Sequence, residues 1–449
     1  MISKSEIEKA LDVRIPVSVE MEIALDDWIA AYEKKSYWIK DDVVSLSLPA
    51  IVAKETARLI LTGGKSWVSG SARADYVQQQ YQNYMKNARK DVEYGCALGG
   101  IILKPFLSGT EVKVDAICAD RFFPISFDSD GYITDAVFIE QLTRSDKYYT
   151  RVERHSLDLR TKVYSVDNLA FVSSSPELMG STCSLKAVKE WADYTEHVQI
   201  ENCERPLFAY FKVPGANNID RRSPTGISVY ANSIEEFRQA DEHWALIQWE
   251  FDGSQLAIDA PEDIFRKKEG KLLVPKRMQR LFRTSNYDVQ KDMPIKEFSP
   301  AIRDVSLFNG LNRIFQRIEF NCGLSYGTIS DPQTVEKTAE EVRSGRERSR
   351  SNIKDIQAAL EDALEHLIWI IDRYADLYSL APAGECDTLF EWGEGVTEDR
   401  DKEYTRRLQM VTSGLLSKEK FLAWYFGCTE DEAKEYLPQS EDLFNGGGT

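Results

Sequence analysis

With 449 residues, 43% of them hydrophobic and 29% charged, the chain is too long for one ordinary core and apolar enough to exclude wholesale disorder. Its 73 Asp and Glu against 56 Lys and Arg leave a net charge of −17, which excludes a surface basic all over that grips nucleic-acid phosphates. No apolar run, Leu367 to Ile371 among them, comes near the roughly 20 residues a spanning helix needs, so no membrane partner is expected.

The start, Met1 to Lys9, is polar and lacks the pattern of a secretory signal. Seven cysteines, scattered and without a CxxC pair, read as reduced thiols of an intracellular protein. An amphipathic helix is expected where Ile23, Trp28 and Ala31 alternate with acidic residues. Two hairpins follow: GGIILKPFLSG with EVKVDAICAD, and RFFPISFDSDGYITDAVFIEQ turning at Asp128 to Gly131. Strand patterns continue to Tyr164; SLKAVKEWADY (Ser184 to Tyr194) reads as a helix, and RPLFAYFK as a strand that opens into a long Pro, Gly and Asn loop.

The second half is dominated by three helical patterns. In the first, Ser233 and Glu236 have capping-box spacing, and Ile234, Phe237, Trp244, Ile247 and Phe251 form one stripe. Between Gly253 and Ala301 the periodicity stops and four prolines appear, which marks a small inserted domain. The second helix has Ser299 and Pro300 as cap and first residue, Leu307, Leu311, Ile314 and Ile318 as its stripe, and Gly323 as terminator. The two helices bracket the insertion as an antiparallel pair would. After SYGTIS, Asp331 and Pro332 open a third pattern with the stripe Ile353, Ile356, Leu360, Leu364, Leu367, Ile371 and Tyr374, with Gly345 as a possible kink and an end near Pro382. Beyond Gly384 come one strand, CDTLFEW, and two short acidic helices.

Charge is uneven. Arg266, Lys267, Lys268, Lys271, Lys276, Arg277, Arg280 and Arg283 face a single acidic residue within their stretch, a net of +7, while Glu385 to Glu403 is net −6. A third cluster, Arg343, Arg346, Arg348 and Arg350, follows the break between the last two helices. Enzyme chemistry is not legible. GGKS at Gly63 to Ser66 has Leu59 where a phosphate-binding loop needs glycine, DSDG at Asp128 lacks the later calcium ligands, and the four histidines fall in no ligand pattern. No catalytic residue, metal or cofactor is therefore expected.

The segments ADRFFPISFDSDGYITDAVF, RPLFAYFKVPGANNIDRRSPTGISVYANS, WEFDGSQLAID, FSPAIRDVSLFNGLNRIFQRIEFNCGLSYGTISDP and KTAEEVRS, spread over nearly the whole chain, resemble the portal proteins of long-tailed double-stranded DNA bacteriophages. That resemblance implies an α+β portal fold in a homo-oligomeric ring, a dodecamer in assembled virions, at one capsid vertex. The ring would be the DNA conduit for head assembly, packaging, ejection and tail attachment, made in the bacterial host cytoplasm. On the family's plan residues 1–231 are the wing, 232–252 and 300–321 the stem helices, 253–299 the clip, 322–334 the tunnel loop, 335–383 the long wing helix and 384–449 a wing and crown region.

The same plan places Ser325, Tyr326, Thr328, Ser330 and the four arginines 343, 346, 348 and 350 along the channel, against sequence-independent double-stranded DNA. It puts the eight basic clip residues against the terminase large subunit and the head-completion adaptor. Phe237, Trp244, Trp249, Phe251, Leu311 and Phe315 are then stem contacts between subunits, and scaffold and major capsid protein are further partners. Net acidity suits a conduit, because each phosphate neutralised adds affinity and a uniformly basic tube would hold the genome in place. Two other readings stand beside this one: a minor capsid protein at the vertex that forms no conduit, and a metal-dependent nucleic-acid hydrolase, for which no carboxylate spacing speaks.

Overall fold

The computed structural model describes residues 2–129, 131–254, 257–261, 267–268, 271–272, 282–285, 296–298, 301–332, 339–393, 400–426 and 433–437; the side chains of 257–298, 339–344, 400–403 and 435 are outside that description. Serine caps set the first helices. Ser3 Oγ accepts the Glu6 N–H ahead of α1 (Lys4–Leu11), and Ser18 Oγ accepts the Met21 N–H ahead of α2 (Val19–Tyr32). α3 (Leu48–Leu61) starts with Pro49 in its first turn, β1 (Lys65–Ser69) follows, and Ser71 caps α4 (Ala72–Met85) before α5 (Ala88–Leu98). On α2, Met21, Trp28 and Ala31 are buried and Ile23 is exposed, so the inward face is rotated from the one the sequence pattern predicts.

Both expected hairpins form. β2 (Gly100–Ser108) pairs antiparallel with β3 (Glu111–Cys118), and β10 (Ala209–Lys212) covers the other edge of β2. Between them in sequence, β4 (Phe122–Phe127), β5 (Ile133–Arg144), β6 (Lys147–Asp158), β7 (Val163–Ser173) and β8 (Ser181–Cys183) run in that order across an antiparallel sheet, with β9 (His197–Ile200) also on β7. The segment Ser184 to Tyr194 is not a helix but two single 3₁₀ turns, Leu185–Ala187 and Lys189–Trp191. Its buried residues Leu185, Val188 and Trp191 recur every three positions, the period of a 3₁₀ rather than an α-helix.

α6 (Ile234–Gly253) and α7 (Asp304–Asn321) form the expected antiparallel pair. Of the insertion between them, the backbone of β11 (Ala257–Pro261), β12 (Lys267–Lys268), β13 (Lys271–Leu272), β14 (Phe282–Ser285) and β15 (Lys296–Phe298) is described. β11 pairs with β14 and β15, and β12 with β13. The capping box is not made: Ser233 ends a 3₁₀ turn, its backbone is not extended, and its buried hydroxyl faces Cys322 instead. Nor does α7 begin at Pro300. Residues 301–303 cross toward α6, where Arg303 reaches Glu250 at 2.8 Å, and the helix starts only at Asp304.

α8 (Ala339–Leu377) runs through Gly345 as one helix, and Ile353, Ile356, Leu360, Leu364, Leu367 and Ile371 are all buried, joining α3, α4, α5, α6 and α7 in one core. β16 (Asp387–Glu391) pairs with β1 far back in the sequence, so the GGKS string is the lead-in to a strand. α9 (Arg400–Thr412) and α10 (Lys418–Phe426) pack together around Tyr404, Phe421 and Tyr425, and a 3₁₀ turn, Lys434–Tyr436, is the last described element. The result is a mixed helix-and-sheet protein. Among the described residues no helix is long and apolar enough to cross a membrane.

Candidate functional site

The helix pair projects from the core with a body end and a far end. At the body end Asn321 Nδ2 donates to the Asn232 carbonyl and to Glu236 Oε1 at 3.0 Å, and Phe237 stacks edge-on against Tyr230. Midway, Gly310 lets the helices approach: a Cβ there would lie 3.1 Å from His243 Nε2, which donates to the Leu307 carbonyl at 2.8 Å. Farther out, Trp244 and Phe251 meet Phe308 at 6.5 and 6.3 Å between ring centroids.

Apart from Phe320 at the body end, which is 48% exposed, burial falls along the pair. Phe237, Ile247, Leu311 and Ile318 are buried within the chain, Trp244 and Phe315 are half-buried, while Trp249 is 66% and Val305 68% exposed. Leu246, Phe251, Ile302 and Phe308 extend that apolar surface. This corrects the subunit-contact expectation for Phe237 and Leu311, whose side chains are already enclosed by their own chain. Trp249 and Phe251 remain uncovered, in a patch of the kind that marks interaction surfaces.

At the base, α7 ends in a Schellman turn: Leu324 N–H donates to the Glu319 carbonyl and Gly323 N–H to Phe320, with Gly323 at φ +67°. A Cβ on Gly323 would also strike Asn352 of α8, at 2.6 Å from its Nδ2. The loop that follows is fastened by α7. Buried Glu319 accepts the Ile329 and Ser330 N–H groups at 2.6 and 2.9 Å and the Ser330 hydroxyl at 2.7 Å, and Asn312 Oδ1 accepts the Asp331 N–H. Thr328 Oγ1 donates to the Ser325 carbonyl, and Gly327 N–H to Ser330 Oγ. Ser330 is thus buried against Glu319, whereas Tyr326 is 38% exposed. Cys322 below has its thiol pushed up to about 12 by burial, an inert group.

Arg348 lies over the Phe320 ring at 4.2 Å and farther from Tyr326 at 5.9 Å, while its Nε and one Nη are buried and have no hydrogen-bond partner among the described residues. Arg346 is exposed, Arg350 is 3.9 Å from Glu347, and the Arg343 side chain lies outside the described residues. Loop and arginines therefore meet at one point, around Tyr326 and Arg348. Of the basic clip residues, Lys267 and Lys268 lie on β12, Lys271 on β13 and Arg283 on β14 by backbone alone. Arg266, Lys276, Arg277 and Arg280 lie outside the described residues.

Sequence reasoning missed Glu319 and Asn312. The signal was present: Asn312, Gln316 and Glu319 at i, i+4 and i+7 form a polar stripe beside the apolar one, and all three are buried. His366 and His155 are structural in their contacts, and exposed His197 pairs with Asp167 at 2.6 Å. His366 donates to the Pro206 carbonyl, with burial holding its pKa down at about 4, and His155 lies in the sheet beneath a buried ion cluster. Among the described residues no three His, Cys, Asp or Glu side chains converge to hold a metal.

No family model matches the chain, and no curated protein matches it. Among solved structures, it is similar to a chain described as "Neck of native GTA particle computed with C12 symmetry", with 10% identity over 94% of this chain and 98% of that one, and a TM-score of 0.43.

Proposed function

We propose that this chain is a portal subunit, assembling through its helix pair into a ring that conducts double-stranded DNA through one vertex of a phage capsid. The observation that carries the reading is the gradient along α6 and α7: one end enclosed in its own core, the other an uncovered apolar collar of Trp249, Phe251, Val305 and Phe308. A closed ring needs a heterologous interface, so each subunit must present apolar surface on its projecting helices that only a neighbour covers. The resemblance of the long segments around both helices and the loop supports the same assignment. The loop at 322–332, held by Glu319 with Tyr326 outward and the arginines of α8 behind it, suits a channel constriction with sparse phosphate contacts.

Native mass spectrometry with negative-stain imaging tests it: rings of about twelve chains with an axial hole are expected. A species that stays monomeric at high concentration and with scaffold present contradicts it.

A further inference from the structure

A second feature lies outside the helix pair and owes nothing to the ring reading. Between α4, α5 and the outer edge of β3 runs an open cleft of about 570 Å³, walled by Asn83, Tyr84, Asn87, Lys90 and Asp91 on the helix side and by Glu111 to Ala116 on the strand side. β3 is an edge strand, since β2 occupies only its inner side.

The register says which of its backbone groups face the cleft. Pro105, which has no N–H, stands opposite Val114, so that pair is not hydrogen-bonded, and the Pro105 carbonyl instead accepts from Tyr374 Oη. By alternation Glu111, Lys113 and Asp115 bond to β2, while Val112, Val114 and Ala116 turn their N–H and C=O groups outward. Gln80 confirms the alternation: its Oε1 accepts the Val112 N–H at 3.2 Å, standing in for the carbonyl of a missing strand. Among the described residues nothing takes the outward groups of Val114 and Ala116.

We infer that this edge receives an extended segment of a partner protein, added to the sheet as a further antiparallel or parallel strand. The exposed side chains of Glu111, Lys113 and Asp115 lie in one row and alternate acidic, basic, acidic. They select a segment with basic, acidic and basic residues at alternate positions, because opposite charges across strands attract and like charges repel. The positions between face Asn87, which caps α5 without using its side chain, the Tyr84 ring and the nearly buried Asp91, and small polar residues such as threonine fit there. Lys113 in mid-edge also deters indiscriminate pairing, which is why the segment must carry an acid at that point. In this chain the only Lys or Arg, acid, Lys or Arg alternation at that spacing is Lys267, Glu269 and Lys271, and its ends fold back on each other as β12 and β13. A foreign segment is therefore the occupant.

The test uses the full chain and a labelled peptide with the core Lys-Thr-Glu-Thr-Lys, read by fluorescence anisotropy and by amide exchange. Binding that slows exchange at Val114 and Ala116 is expected. Val114→Pro deletes an outward N–H and leaves the bonds to β2 intact, so binding should weaken by about tenfold with the circular dichroism unchanged. Lys113→Glu should weaken it too, and a peptide with Lys in place of the central Glu should restore it to that variant. Absence of binding, or binding indifferent to both substitutions, overturns the proposal. A change in self-association of Val114→Pro, seen by sedimentation, overturns the choice of partner and makes a second copy the occupant.

Discussion

The two ends of the α6/α7 pair differ in how much of their apolar surface the chain itself covers. At the body end several polar groups find partners within the chain: Ser233 with Cys322, Glu236 with Asn321, Glu319 with the loop. At the far end the apolar groups are as large and Trp249 and Val305 are mostly exposed. Helix propensity does not distinguish the ends, since both are parts of the same two helices. What differs is where the matching surface comes from: at one end from the same chain, at the other, on the ring proposal, from a neighbouring subunit.

If the body is self-sufficient, breaking its polar knots must cost stability in the isolated chain. The largest effect is expected in the sheets. Glu153 joins Lys104 of β2 to Arg151 and His155 of β6. Burial alone would raise its carboxyl, but the Lys104 and Arg151 charges and the His155 hydrogen bond hold it well below the usual range. Glu153→Gln leaves Lys104 buried without its ion-pair partner and should lower stability by about 4 kcal/mol in urea melts at pH 7.

The pH dependence follows from the same cluster. Burial lowers the His155 pKa, so the neutral ring donates from Nε2 to Glu153 and accepts from the Tyr164 hydroxyl at Nδ1. Both shifts are depressions. The His155 contribution is whole above about pH 6.5 and falls as acid is added, and the Glu153 contribution is whole above about pH 4.3 and is lost as pH falls through its native pKa. Stability should therefore decline continuously below neutrality, with the limb below about pH 4 flattened in Glu153→Gln.

Next in size, Phe237→Ala at the body end should cost about 3.5 kcal/mol through the cavity it leaves. Glu319→Ala should cost about 3 kcal/mol, since it orphans two loop N–H groups and a hydroxyl, and amide exchange at Ile329 and Ser330 should accelerate. Arg348→Met should instead raise stability by about 1 kcal/mol, because it removes buried N–H groups that lack partners among the described residues while keeping the packing on Phe320. In a particle, the same variant should hold packaged DNA less well, and unchanged retention would exclude Arg348 from the channel.

Much of this was legible. The stripe of α8, the two hairpins and the antiparallel pair bracketing an insertion follow from periods of 3.6 and 2 that burial later repeats. The failures are those of local rules overridden by distant partners. Ser233 and Glu236 have capping-box spacing, yet each is drawn to the end of α7, some 85 to 89 positions away. Likewise β1 is completed by β16, a pairing no local pattern announces. The far-end collar was visible as aromatic residues, but the sequence could not divide Phe237 from Trp249, because both lie on apolar-looking turns of one helix and only the fold shows which face the core reaches.

The smallest expected effect on stability marks the other side of the comparison. Trp249→Ser and Val305→Ser should each change the stability of the isolated chain by no more than about 0.5 kcal/mol, while assembly weakens. Hydroxyl-radical footprinting of the chain before and after assembly, read residue by residue by mass spectrometry, tests this most directly. The account predicts that Trp249, Val305 and Phe308 become protected on assembly while Phe237 is unreactive in both states. Equal reactivity of Trp249 in the assembled and isolated protein would contradict it.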